Sequence, residues 1–97
     1  MEFIIQYKVI PDKIDEVKAI VRKFVDGIRD DQDPGYSYKS SHLPDGLSFV
    51  HLAWFEDDAA LDRFKSRPHF KEFAGKLGDF CESKPVNQTL TTVASSR

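Results

Sequence analysis

The chain has 97 residues, of which 40% are hydrophobic and 12% aromatic, and its formal net charge is −2. This length fits one domain, the apolar content excludes intrinsic disorder as the main state, and the weakly acidic balance gives no general attraction to nucleic acid or anionic lipid. The lone cysteine excludes an internal disulfide framework and a multi-cysteine zinc site. No run approaches the roughly 18 apolar residues of a membrane span, and residues 1–6 lack signal-peptide character, so we expect a cytoplasmic protein that binds neither membranes nor nucleic acid.

Hydrophobic periodicity predicts a strand and then an amphipathic helix in the first third of the chain. Residues 3–10 alternate between two faces until Pro11 ends the run. From Ile14 to Ile28 apolar residues recur at every third or fourth position, which is typical of a helix with one buried face. The breaker Asp33-Pro34-Gly35 predicts that this helix ends around residues 29–33.

The rest of the chain predicts a hairpin, a broken helix and a last strand. Residues 36–42 and 47–55 are alternating segments, and Pro44-Asp45-Gly46 between them has turn chemistry. Acidic residues 56–58 favour a helix start, Ser66-Arg67-Pro68 interrupts that helix, and a second apolar stripe follows. Residues 86–93 form a threonine-rich strand. This order predicts an α+β, ferredoxin-like βαββαβ fold with a four-stranded antiparallel sheet and helices on one face.

Strand parity divides the predicted sheet into two faces. We expect the helices to cover the wholly apolar sides of the first and third strands. The opposite face mixes apolar groups with Gln6, Lys8 and His51, and two helices cannot cover it as well. Because a large uncovered apolar patch usually marks an interface or a pocket, we expect a homodimer in which two such faces meet, with a cavity. The helix-covered face would consist of Phe3, Ile5, Tyr7, Val9, Val50, Leu52 and Trp54, and the uncovered face would include Ile4, Ile10, Phe49 and Phe55.

Two segments resemble the antibiotic biosynthesis monooxygenase family. Residues 49–61 run from an apolar strand into an acidic helix start and Ala-Ala-Leu, and residues 67–73 have the sequence Arg-Pro-His-Phe-Lys-Glu-Phe. Pro34-Gly35 before the second strand is similar too, and the resemblance covers roughly residues 2–93 of a single domain spanning residues 1–97. It implies a dimeric α/β barrel and, for many members, oxidation of quinol- or anthrone-like compounds by molecular oxygen without a cofactor.

The sequence departs from the family pattern at positions that bear on activity. Many relatives have an acidic residue and then a Trp late in the third strand, where this chain has Ala53 and Phe55. The haem-degrading members have an amide on the first strand, a Trp on the short helix and a ligand histidine on the last helix. Those positions resemble Gln6, Phe64 and Ala74 here. Because no histidine stands at the ligand position, haem degradation is not expected, and we predict no cofactor.

Histidines supply the candidate bases for deprotonating a phenol, because the imidazole pKa lies near neutrality. The resemblance implies that His69 lies near the mouth of the cavity, and parity places His51 on the cavity side with Gln6. We predict His69 and His51 as catalytic residues and Gln6 as the group that orients a substrate oxygen. Trp54 is expected in the core. The remaining substrate-binding candidates are Ile4, Phe49, Phe55, Phe70 and Tyr38.

Three functions stay open on the sequence alone. The first is a cofactor-independent monooxygenase that acts on a small aromatic, polyphenolic or quinol-like compound. The second is a non-enzymatic dimer that binds a small hydrophobic ligand, and the loss of the acidic residue at Ala53 favours it. The third is an isomerase or lyase in which a cavity histidine moves a proton without oxygen. The histidine spacing matches no zinc signature, so we expect no metal site.

Overall fold

The computed structural model describes residues 1–97 and confirms the predicted α+β, ferredoxin-like fold. The strands are β1 (Glu2–Lys8), β2 (Tyr36–His42), β3 (Ser48–Phe55) and β4 (Val86–Leu90), and the helices are α1 (Ile14–Asp31), α2 (Asp58–Ser66) and α3 (Pro68–Leu77). All strand pairs are antiparallel, and the strands lie in the spatial order β2-β3-β1-β4. None of the helices has both the length and the apolar character that crossing a membrane requires.

Helix α1 covers the sheet through the predicted apolar stripe. Val17, Val21, Phe24 and Ile28 are its buried residues. The helix ends at Gln32, which takes a left-handed conformation with φ of 49° and donates its backbone N–H to the carbonyl of Arg29. A left-handed residue at this place is the usual way to stop a helix, although glycine adopts it at lower cost.

The break between α2 and α3 also follows the sequence. Asp57 caps α2, because its carboxylate accepts the backbone N–H of Ala60 at 2.8 Å. Pro68 begins α3 and disfavours a helical conformation in Arg67, which is extended at φ −68° and ψ 139°. The chain therefore turns between two short helices, and both lie on the same side of the sheet as α1.

The structure corrects the predicted orientation of β3. Strand pairing places Phe49 opposite Tyr7 and His51 opposite Ile5, so these side chains share the side of the sheet that meets the helices. We call this side the helix side. Alternate residues of β3 therefore point the other way, and Trp54 is 40% exposed. The expectation that Trp54 lies in the core is wrong. The residues of β3 buried on the helix side are Phe49, His51, Ala53 and Phe55.

The side of the sheet without helices remains uncovered in the single chain. We call it the open face. It includes Gln6 and Lys8, as predicted. Its apolar residues, however, come mainly from β4 and from the side of β3 that was expected to meet the helices. The face was misassigned because β3 is apolar on both sides, so that parity alone could not select the side that meets the helices. The apolar residues of the open face are Ile4, Val50, Leu52, Trp54, Val86 and Leu90.

Strand β4 is shorter than predicted. It ends at Leu90 rather than at Val93, and all five of its residues are exposed. It pairs only with β1, because it lies at the edge of the sheet. Cys81, which precedes it, is buried, and its thiol donates to the carbonyl of Leu77 at 3.2 Å. The thiol therefore belongs to the core.

Candidate functional site

A cavity of about 460 Å³ lies between the helix side of the sheet and helices α2 and α3. Of its 17 lining residues 12 are hydrophobic, which makes it suited to an aromatic guest. Polar groups come from Tyr38, Lys65, Lys84 and Asn87. The aromatic wall consists of Phe3, Phe24, Phe55, Phe64, Phe70 and Phe73.

Small residues explain why the space is left open. Ala53 stands on β3 between Phe3 and Tyr38, its partners on the two neighbouring strands. Ala74 on α3 and Gly78 just after that helix also line the cavity. A large side chain at any of these positions would extend into the space between the aromatic rings. The helix side therefore keeps an open space next to Ala53, bounded by aromatic rings such as Phe24 and Phe64.

A chain of three polar side chains stands against the cavity wall. His51 is fully buried, and its Nε2 lies 2.7 Å from the hydroxyl of Tyr7 while its Nδ1 lies 2.6 Å from the hydroxyl of Tyr38. We call this arrangement the Tyr7–His51–Tyr38 relay. A neutral imidazole has one donor and one acceptor nitrogen, so one tyrosine donates to the ring and the other accepts from it. Tyr38 is the member that lines the cavity.

Burial keeps the relay neutral. It lowers the pKa of His51 from its usual value of 6.5 to about 4, because a buried imidazolium loses its hydration. Burial likewise raises the pKa of Tyr38 and of Tyr7 far above the usual tyrosine range, and for Tyr7 the neighbouring Tyr38 and Cys81 add to the effect. At neutral pH the relay therefore holds no net charge. A proton can move along it only if a counter-charge appears beside it.

His69 lies apart from this cavity. Its Nε2 is 2.9 Å from a carboxylate oxygen of Asp31, which also accepts the hydroxyl of Tyr36 at 2.6 Å. Its ring fills a slot against α1 at Gly27, where a Cβ atom would come within 2.8 Å of the ring carbon Cγ. The expectation that His69 stands at the cavity mouth is therefore wrong. The side chain turns toward α1 and ties the start of α3 to the end of α1.

The other predicted site residues divide between three places. Phe55, Phe70 and Tyr38 line the cavity, although Phe55 was expected on the uncovered face and lies on the helix side. Ile4 and Gln6 lie on the open face, and the expectation that Gln6 and His51 share one side of the sheet is wrong, because β3 presents His51 to the helices. Phe49 stacks on the ring of Tyr7 and lines a separate groove between α1 and β2.

Several residues of the site escaped the sequence analysis. Parity correctly placed Tyr7 on the helix side, and its partnership with His51 was missed only because β3 was turned the wrong way. Asn87 could have been found in the same manner, since the pairing of β4 with β1 places it opposite Ile5. Lys65 and Lys84 carry no such periodic signal, since only the packing of helices on the sheet brings them to one cavity.

The side chains favour an organic guest over a metal ion. No three His, Cys, Asp or Glu side chains are placed where they could bind one metal ion together. Both ring nitrogens of His51 are engaged by tyrosine hydroxyls. Asn87 and the two lysines can instead donate hydrogen bonds to an oxygen-bearing molecule among the aromatic rings.

Comparison with known proteins agrees with this fold. The family model for antibiotic biosynthesis monooxygenases matches residues 2–76. A crystal structure described as an antibiotic biosynthesis monooxygenase superposes with a TM-score of 0.83 at 23% identity, covering 96% of this chain and 98% of that one. Proteins from Mycobacterium tuberculosis (TM-score 0.86, 18% identity, 99% and 97% coverage) and Pseudomonas aeruginosa (0.81, 21%, 96% and 93%) have the same fold. No curated protein sequence gives a significant match.

Proposed function

Because this chain belongs to the antibiotic biosynthesis monooxygenase family, we propose that it oxidises a small aromatic, polyphenolic or quinol-like compound with molecular oxygen and without a cofactor. The observation that carries the proposal is the Tyr7–His51–Tyr38 relay at the wall of an aromatic cavity. Phenylalanine rings on both sides of the cavity would hold a planar guest and exclude water from it.

The relay supplies a route for the proton that the reaction must remove. The substrate hydroxyl donates to the oxygen of Tyr38, and Tyr38 passes its own proton to Nδ1 of His51. Since a lone buried imidazolium is unfavourable, this transfer takes place only while the substrate anion stays beside it and balances the charge. The resulting anion is electron-rich enough to reduce dioxygen directly. Tyr38 is thus the group that contacts substrate, and His51 acts through it.

The balance of atoms needs no outside reductant. A ring carbon of the anion bonds to one oxygen atom and forms a peroxide. The O–O bond then breaks, one oxygen stays on the substrate as a new carbonyl or hydroxyl group, and the other leaves as water with two hydrogens. A quinol that becomes a hydroxyquinone in this way supplies all four electrons that reduce O₂. The protein's task is to remove the first proton and to keep the anion dry.

We further propose that two copies of this chain associate through the open face. Its exposed apolar residues, Leu52 and Trp54 among them, would be removed from water by a second sheet. Gln6 would then serve the interface by a hydrogen bond rather than by orienting substrate. This assignment gives each side of the sheet its own task, chemistry on the helix side and association on the open face.

His69 has a supporting role in this proposal. Its bond to Asp31 and its fit against Gly27 hold α3 in place, and α3 provides Phe70 and Phe73 to the cavity wall. We expect His69→Gln to change the rate of oxygen consumption by less than about threefold, since no proton of the substrate passes through this ring. A loss comparable to that of a relay variant would return His69 to the catalytic residues.

The alternative is a dimer that binds an aromatic ligand without chemistry. The low pKa of His51 favours it, because a weak base extracts a proton less readily. The two functions differ in one measurable respect. A binding protein would hold a quinol or its quinone with equal affinity under air and under nitrogen and would consume no oxygen.

Oxygen uptake with a panel of quinols and anthrones tests the proposal. The matched variants are Tyr38→Phe, which removes the relay hydroxyl of the residue that lines the cavity, and Tyr36→Phe, which removes a hydroxyl on the same strand and side from a residue that does not line it. We expect Tyr38→Phe to lower the rate by about 100-fold or more and Tyr36→Phe by much less. Equal losses in the two variants, or uptake no faster than protein-free autoxidation for every compound, would contradict the proposal.

A further inference from the structure

The cavity carries positive charge although the chain as a whole is acidic. Lys65 in the last turn of α2 and Lys84 just before β4 both line it, and both residues are exposed, so they belong to its solvent side. No Asp or Glu lines the cavity. An ionised group that enters it therefore meets two cations and no anion.

Neither ammonium group is engaged within the chain. Lys65 and Lys84 form no ion pair and no side-chain hydrogen bond, whereas Lys23 and Lys76 share Glu72, and Lys8 is paired with Glu82. Lys65 lies near the carboxyl end of α2, where the helix dipole stabilises a positive charge. This interaction uses no hydrogen bond of the ammonium group, which can therefore bind another partner. Lys84 lies outside any helix and has no such explanation.

The polar groups of the cavity thus lie at two depths, one at its inner wall and one toward solvent. We call these the two levels of the cavity. Tyr38 is partly buried and stands at the wall with its hydroxyl on His51. The two exposed lysines stand toward solvent, and aromatic rings line the space between these levels. A guest that satisfies both levels needs a planar ring system, a hydroxyl group at one end and an anionic group at the other.

We infer that the guest of this cavity is an aromatic acid, whose ring lies among the phenylalanines and whose carboxylate is bound by Lys65 and Lys84 at the cavity mouth. This inference rests on the proposed function, because it takes the same cavity as the substrate site and narrows the substrate class. The lysines attract the acid and orient it, so that its hydroxyl end enters first and meets Tyr38. A neutral quinol can still enter but lacks this orientation.

A matched pair of ligands tests the inference by binding alone. The probes are a hydroxynaphthoic acid, with hydroxyl and carboxyl at opposite ends of the ring system, and the primary amide of the same acid, which has nearly the same shape without the charge. Their affinities are measured by fluorescence titration at neutral pH and low salt. We expect the intact protein to bind the acid about fivefold to tenfold more tightly than the amide, and added salt to reduce the ratio.

Lysine variants locate the source of the preference. In Lys65→Met/Lys84→Met the acid should bind no better than the amide, because the charges that distinguish the two ligands are gone. Lys71→Met is the control, because Lys71 is also exposed and unpaired but does not line the cavity. Circular dichroism spectra verify that the variants fold. Equal affinities in the intact protein, or an acid preference that survives in the double variant, would overturn the inference.

A second assay separates this inference from the proposed function. Oxygen uptake with a neutral naphthoquinol reports on the relay and does not need the lysines. If that activity is present and the acid preference is absent, only the inference fails. If the preference is present and no quinol is oxidised, the cavity is an aromatic-acid site without oxygenase chemistry, and only the proposed function fails. Absence of binding for both naphthalene probes would overturn the inference outright.

Discussion

Both sides of the sheet are apolar, but their polar side chains are satisfied differently. Those on the helix side are buried and hydrogen-bonded within the chain, and those on the open face are exposed to solvent. On the helix side the imidazole of His51 is fully buried between two tyrosine hydroxyls, and no buried side-chain nitrogen or oxygen lacks a partner. On the open face Gln6 and Lys8 stay exposed beside uncovered apolar residues such as Leu52. A polar group in a dry interior needs every hydrogen bond satisfied, whereas an exposed one needs none. The helix side therefore suits chemistry and the open face suits association.

Removing the imidazole of His51 should destabilise the fold more than any other change considered for the helix side. We expect His51→Leu to lower the free energy of unfolding by about 3–4 kcal/mol, because the buried hydroxyl of Tyr7 and that of Tyr38 lose their partner and the new side chain fits the site imperfectly. Adding Tyr7→Phe to this variant should cost less than Tyr7→Phe costs alone, since the orphaned hydroxyl is then removed. Urea unfolding of the four proteins measures this coupling. Strict additivity of the two changes would mean that the hydrogen bond between Tyr7 and His51 contributes nothing to stability.

Acid should weaken the helix side at a higher pH than it affects Asp33 and Asp45. The pKa of His51 is about 4 in the folded chain against 6.5 for an exposed histidine, so between these values the unfolded chain binds a proton that the folded chain does not. Stability is therefore retained above pH ~6.5 and falls with pH toward ~4, by about 1.4 kcal/mol per unit and about 3 kcal/mol in total. Asp33 and Asp45, whose pKa values are lowered to about 2 by hydrogen bonds, lose their contribution only at still lower pH.

The same leucine variant serves as the control for the pH experiment. Unfolding in urea is measured from pH ~7 to ~4.5, for the wild-type chain and for His51→Leu. We expect the difference between the two stabilities to shrink as the pH falls, because only the wild-type chain must keep an imidazole neutral. A constant difference across this window would show that the imidazole keeps its ordinary pKa in the fold.

The open face should respond to charge through association rather than through folding. Leu52 is 44% exposed on the open face, and Leu43 is 46% exposed in the turn between β2 and β3. Leu52→Lys and Leu43→Lys therefore make the same change at matched exposure. We expect Leu52→Lys to raise the dimer dissociation constant at least about 30-fold, which is about 2 kcal/mol, and Leu43→Lys to leave it unchanged. Sedimentation equilibrium measures both, and a monomeric wild-type chain at high concentration would contradict the proposed dimer.

The contrast between the two faces also explains how far the sequence could predict this protein. The order of the elements could be predicted from hydrophobic periodicity, because α1 has a single apolar stripe. The helix ends could be predicted from helix-breaking residues, because Pro68 disfavours a helical conformation in the residue before it and so ends α2. The side of β3 did not follow, because Phe49 and Leu52 are both apolar and only strand pairing turns His51 toward Tyr7. The site was missed for the same reason. A relay between three strands depends on register, and register depends on which face the whole sheet buries.

The smallest expected effect lies outside both faces, at the end of α1. Gln32 holds a left-handed conformation that costs a residue with a Cβ about 1 kcal/mol, and glycine adopts it freely at the price of a more disordered unfolded chain. We expect Gln32→Gly to stabilise the fold by about 0.5 kcal/mol and to raise the melting temperature by about 2–4 °C. Gln88→Gly in β4 is the matched change in an extended strand and should destabilise the fold by a similar amount. Because Gln32 contributes to neither the cavity nor the open face, Gln32→Gly should raise stability without any change in oxygen uptake or in the dimer dissociation constant. Equal destabilisation by the two glycine substitutions would mean that the left-handed residue carries no strain.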